Sequence, residues 1–153
     1  MPKIIKEKII KEIVFEGIDN IEYYDFIQED GKLILRPKFP KCMTGVKILK
    51  CIITNSETNS IISNDKTSYR GIMVNIWKSM SKRVIMDNTT FNIKESKENG
   101  AKGYYYQKDL KFSFQSKGAN ETWKEIIKMV RLNQYHMDVS LQLTCGKKIN
   151  YVI

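Results

Sequence analysis

The chain has 153 residues, a net charge of +9 at neutral pH, 42% hydrophobic and 28% charged residues. This composition can bury a core, which excludes a disordered chain. Mean hydropathy is −0.39, and no apolar run approaches the ~18–20 residues of a membrane span, which excludes a helical membrane protein.

The opening MPKIIKEKII is interrupted by Lys and Glu, so no signal-peptide core is read there. The expectation is one soluble, intracellular domain over residues 1–153. Residues 2–14 place Ile4, Ile5, Ile9, Ile13 and Val14 on one stripe, predicting an amphipathic helix, with a strand left open at its β-prone end. Ile21–Gln28 and Lys32–Arg36 flank Glu29-Asp30-Gly31 and predict a hairpin, ended by Pro37 and Pro40. Val46–Thr54 is β-branched and apolar on both faces in places, as in a central strand. Residues 55–68 are polar and turn-rich, and read as a mobile loop. Tyr69–Lys78 alternates through Ile72, Val74 and Ile76, predicting a strand, with a second hairpin over Arg83–Met86 and Thr90–Glu95. After a loop holding Gly100 and Gly103, Leu110, Phe112 and Phe114 alternate with Lys111, Ser113 and Gln115 in one long strand.

Trp123, Ile126, Ile127 and Val130 fall at i, i+3, i+4 and i+7, predicting a helix over Glu121–Leu132 capped by Asn120. Its acidic residues Glu121 and Glu125 precede Lys128 and Arg131, matching the helix dipole. A final alternation directs Met137, Val139, Leu141, Leu143 and Cys145 inward, against His136, Asp138, Ser140, Gln142 and Thr144. Gly146-Lys147 then turns the chain into Lys148–Ile153. The fold class is α+β: a mainly antiparallel sheet with one or two helices packed on one face.

Catalytic signals are sparse. Cys42, Cys51 and Cys145 lack paired spacing and the chain has one His, which argues against zinc; Cys51 and Cys145 read as small core residues. Asp30-Gly31-Lys32 and Glu95-Ser96-Lys97 match part of a metal-dependent nuclease centre, with Asp25 or Asp87 as a further carboxylate. Both triplets fall at turns, where charged residues gather without any metal. His136 and Asp138 share a strand face but stand about 7 Å apart, too far for a direct hydrogen bond. Asn99-Gly100-Ala101-Lys102-Gly103 contains a phosphate-clamping GxxG, but it leads into a strand rather than a helix.

The charge is more informative. Residues 101–153 carry +5 of the +9, and a basic surface attracts polyanions. Lys outnumbers Arg 22 to 4, with 22 Ile, 11 Asn and 2 Ala, a usage that AT-rich coding also produces. Tyr104 and Tyr106 interleave with Lys94, Lys102, Lys108, Lys111 and Lys117, as in a sheet face that stacks bases and reaches phosphates. The competing reading packs those rings under the helix and leaves the Lys residues to keep the sheet soluble.

SYRG at 68–71, RVIMDNTTFNIK at 83–94, an Asn-Gly turn at 99–100 and Gly118-Ala119 before a helix resemble the half-repeat of TATA-box-binding-like proteins of large DNA viruses. The resemblance covers residues 68–130 and implies a curved antiparallel sheet, helices on its back, straddling the DNA minor groove. No second repeat is present, and the chain closes in a hairpin where that family has a helix.

These signals point to a small, non-enzymatic nucleic-acid-binding protein, with DNA favoured over RNA, no cofactor, no metal and no membrane partner. A protein-interaction or assembly domain, self-associating through a strand edge, is the alternative. A metal-dependent nuclease is the third reading.

Overall fold

A computed structural model describes residues 23–95 and 101–153. The helix expected over residues 2–14 lies outside the described residues.

Strands β1 (Tyr24–Glu29) and β2 (Lys32–Pro37) form the expected hairpin, pairing Glu29 with Lys32. Asp30 and Gly31 both take positive φ, 50° and 76°, as a two-residue hairpin turn requires. β3 (Lys47–Asn55) is an interior strand of a four-stranded antiparallel sheet ordered β4-β3-β8-β9. Its pattern breaks period 2, because Ile48 and Cys51 are both buried although three positions apart. A bulge resolves this: the register shifts between Ile48 and Lys50, so Leu49 is the extra residue.

Part of the stretch expected to be a loop is strand. β4 (Ile61–Ser63) pairs with the end of β3. Asn55 Oδ1 accepts from Glu57 N at 2.9 Å and Thr58 N at 3.3 Å, folding the chain into a tight return.

Two strand expectations are corrected to helix. α1 (Tyr69–Lys78) buries Ile72, Met73, Ile76 and Trp77, a helical stripe of which Ile72 and Ile76 merely coincide with an alternation. Ser68 caps it, its Oγ accepting from Gly71 N at 3.0 Å, and a Cβ at Gly71 would lie 2.6 Å from that oxygen. α2 (Lys82–Asn88) replaces the first arm of the second expected hairpin, with Ser81 capping through Val84 N at 3.3 Å. The other arm shrinks to β5 (Ile93–Lys94). In both cases a serine cap outweighs β-prone composition.

The expected long strand is a hairpin of β6 (Tyr104–Gln107) and β7 (Phe112–Gln115), in a sheet ordered β5-β7-β6. Lys111, at φ 58°, closes the turn by donating its N–H to Gln107 O at 2.8 Å.

α3 (Ala119–Leu132) buries Trp123, Ile126, Ile127 and Val130 as the spacing requires. Gly118, not Asn120, occupies the cap position. Asn120 Oδ1 instead accepts from Met43 N at 2.5 Å, pinning the helix to the segment before β3. β8 (Tyr135–Gln142) and β9 (Lys148–Val152) complete the larger sheet, with Met137, Val139 and Leu141 buried. Strand structure stops at Gln142, so Leu143 is only half-buried and Cys145 is exposed rather than in the core.

The fold is α+β with antiparallel sheets. The inward residues of β3 and β8 join those of α1 and α3 in one core, which puts the helices on one face of the four-stranded sheet. No helix among the described residues is long and apolar enough to cross a membrane.

Candidate nucleic-acid interface

Alternation on β3, β8 and β9 sends one side chain in two away from the helices. Those side chains form rows across the sheet: Lys47, Gln142 and Lys148; Lys50, Ser140 and Asn150; Ile52, Asp138 and Val152; Thr54 and His136. All are exposed or half-exposed, so this face is open. The bulge adds Leu49, which is exposed beside Lys50. Lys47, Lys50 and Lys148 gather at one end.

Asp138 is the one carboxylate in these rows. With the Asn150 amide turned so that its nitrogen faces the acid, it donates to Asp138 Oδ1 at 2.9 Å and to Ser140 Oγ at 2.7 Å. The open face thus combines a fixed amide and hydroxyl with three exposed lysines, Lys47, Lys50 and Lys148.

The residues singled out in the sequence are spread along the β5-β7-β6 sheet and its ends. Lys108 and Lys111 sit at the turn end of the β6–β7 hairpin, where Asp109 pairs with Lys78 at 3.0 Å. Lys102 and Lys117 lie at the opposite end, four paired positions away. Lys117 Nζ donates to Thr90 O at 2.9 Å and stands 5.2 Å from the Phe91 ring centre. Tyr104 is buried with Lys94 over its ring at 4.4 Å, and Tyr106 is half-buried. Tyr105, not singled out, is the exposed ring of the three, and Arg70 stacks on it at 4.2 Å.

The nuclease carboxylates do not converge. Asp30 is in the exposed β1–β2 turn, and Asp25 faces Lys38 at 4.0 Å. Asp87 lies on α2, 3.9 Å from Arg83. Glu95 binds Lys82 at 2.7 Å, a hydrogen bond and charge that hold its carboxyl below the usual range. Ser96, Lys97, Asn99 and Gly100 lie outside the described residues. Among the described residues no group of three or more His, Cys, Asp or Glu could hold a metal ion. His136 is exposed and opposite Thr54, and no hydrogen bond joins it to Asp138.

Two thiols contrast. Burial pushes Cys51 up to about 12, with the nearby Asp138 charge adding to it. Cys42 is exposed, and hydrogen bonds from Thr44 and Asn120 lower its pKa.

The helix layer carries a feature the sequence reading assigned wholly to the core. Phe39, Trp123 and Ile127 floor a groove of about 510 Å³, with Lys124, Lys128 and Arg131 around it. Phe39 also lines a second hollow of about 320 Å³ with Lys38, Lys41 and Tyr151. The signal was present as Lys124, Lys128 and Arg131 at i, i+4 and i+7. Compared with known proteins, the chain matches no family model, no curated protein and no solved structure.

Proposed function

We propose that this protein binds duplex nucleic acid, DNA in preference to RNA, without catalysing a reaction on it. The observation that carries the reading is the open face of the four-stranded sheet, with Lys47, Lys50 and Lys148 at one end and Ser140, Gln142 and Asn150 beside them. Lys47 and Lys148 flank Gln142 from two strands away, about 10 Å by strand spacing. That is the scale of a B-DNA groove, about 12 Å or 6 Å wide, so two lysines can reach phosphates on both banks while the Gln142 amide between them faces base edges.

The test is anisotropy of a labelled DNA duplex across a salt series. Each phosphate contact contributes about 0.9 to the slope of log K against log salt. Lys47, Lys50 and Lys148 changed together to Gln should flatten that slope by about 2.7. The matching change at Lys108, Lys111 and Lys117, which lie at two ends of their hairpin, should flatten it less. Equal losses from the two triples overturn the sheet-face assignment. Absence of binding at low salt overturns the nucleic-acid reading, and tighter binding of duplex RNA overturns the preference for DNA.

A further inference from the structure

We infer that the groove along α3 docks an acidic peptide segment of a partner protein that carries apolar anchor residues. Its floor and its rim ask for different things from a ligand. Half-buried Phe39, with the edges of buried Trp123 and Ile127, offers apolar surface, which only apolar side chains reward. Lys124, Lys128 and Arg131 form the rim, and among the described residues no carboxylate lines the groove. Glu121 engages Lys124 at 3.4 Å, an exposed pair of small worth, and Lys128 donates to the Asn88 carbonyl. A helical or extended segment with Leu or Phe facing inward and Asp or Glu alongside meets both demands.

Other occupants fit less well. Trp123 is 4% exposed and stands edge-on to Phe39 at 5.1 Å, so it offers no free face for base stacking. A second copy brings a chain of charge +9 against a basic rim. The helices lie on the sheet face opposite the open one, so peptide and nucleic acid have separate surfaces.

Panning a random peptide library against the full chain tests this. Selected peptides should combine Asp or Glu with Leu, Phe or Trp, and should weaken as salt rises. Lys124→Glu with Arg131→Glu, two exposed changes, should lower their affinity about tenfold or more while the melting temperature stays near that of the parent. The same double variant should keep its DNA affinity, and the Lys47, Lys50 and Lys148 variant should keep its peptide affinity. Selected peptides without acidic residues, or equal binding to the reversed variant, overturn the inference. So does displacement of the peptide by an oligonucleotide that the reversed variant no longer binds, or a dimer in solution that the reversal dissociates.

Discussion

The two tryptophans sit in one core under different terms. Trp77 is fully buried, with Phe91, Phe112 and Phe114 packed edge-on at 5.7, 5.9 and 5.2 Å. Its Nε1 donates to Glu125 Oε2 at 3.1 Å. Trp123 meets Phe39 and Tyr69, lines the groove, and has a buried Nε1 with no hydrogen-bond partner. A buried N–H left unpaired costs about 1–3 kcal/mol. The Trp77 cluster is therefore closed and tied to a neighbouring helix, whereas the Trp123 cluster keeps a large ring under a groove without polar return. Glu125 is itself buried with its Oε1 unpartnered, so each cluster carries one buried polar atom without a partner, and the groove beside Trp123 is what separates them.

Truncation should separate them most. Trp77→Ala removes a ring that three aromatics enclose and deprives Glu125 of its donor, so it should cost about 5 kcal/mol or leave the chain unfolded, read by urea denaturation. Trp123→Ala should cost about 3–5 kcal/mol, toward the lower end because one side of the ring already borders a groove. Equal losses would erase the distinction.

Phenylalanine sharpens the comparison, since it keeps most of the ring and deletes only the N–H end. Trp77→Phe should cost about 2–4 kcal/mol, because Glu125 loses its bond and a cavity opens. Trp123→Phe should fall within about 1 kcal/mol of the parent, because the deleted N–H was unpaired. A larger loss at Trp123 than at Trp77 would show that the unpaired N–H has a partner in solution.

Alkaline pH probes another part of the core. Burial pushes Tyr151 up to about 12 from 10.0, with Tyr24 and Tyr23 adding to it, and burial also raises Tyr24 and Tyr69. A pKa raised by folding contributes stability that is complete below the unfolded value and is lost as pH climbs through the folded one. Melting temperature should hold up to about pH 10 and fall between there and about pH 12. Tyr151→Phe, which also deletes the bond to Lys38 O at 3.2 Å, should blunt that fall. An unchanged fall would place the titration elsewhere.

The smallest effect is kinetic. Native protein treated with iodoacetamide near neutral pH should be modified first at exposed Cys42, whose lowered pKa supplies more thiolate. Cys51 should react only on unfolding, since it is buried and its pKa is raised to about 12. Peptide mass mapping distinguishes the sites.

Where one periodicity dominated, the sequence was legible. β8 and α3 each carry an uninterrupted pattern, and Gly31 and Gly146 mark their turns by composition. Residues 69–78 were not legible as a helix because Ile72, Val74 and Ile76 satisfy period 2 while Ile72, Met73, Ile76 and Trp77 satisfy period 3.6. Weighting Ser68 as its cap would have settled it, as Ser81 would have for α2. The open sheet face was hidden for another reason. Its rows join residues 47–54 to 136–152, and register between distant strands is a tertiary property that no window displays. The groove was hidden because Trp123 and Ile127, correctly read as core, also border solvent-accessible space.

Leu49 uncouples the two faces of the larger sheet. Removing it would leave Ile48 opposite Leu141 and Lys50 opposite Ser140 in an unbroken ladder, with Cys51 still facing inward. The core therefore has no need of this residue. What a bulge supplies is extra local twist, and here that twist falls in the row bearing Lys50, Ser140 and Asn150. One codon thus separates the geometry of the outer face from the packing of the inner one. Deleting Leu49 should reshape what the sheet presents while the hydrophobic interior stays as it was.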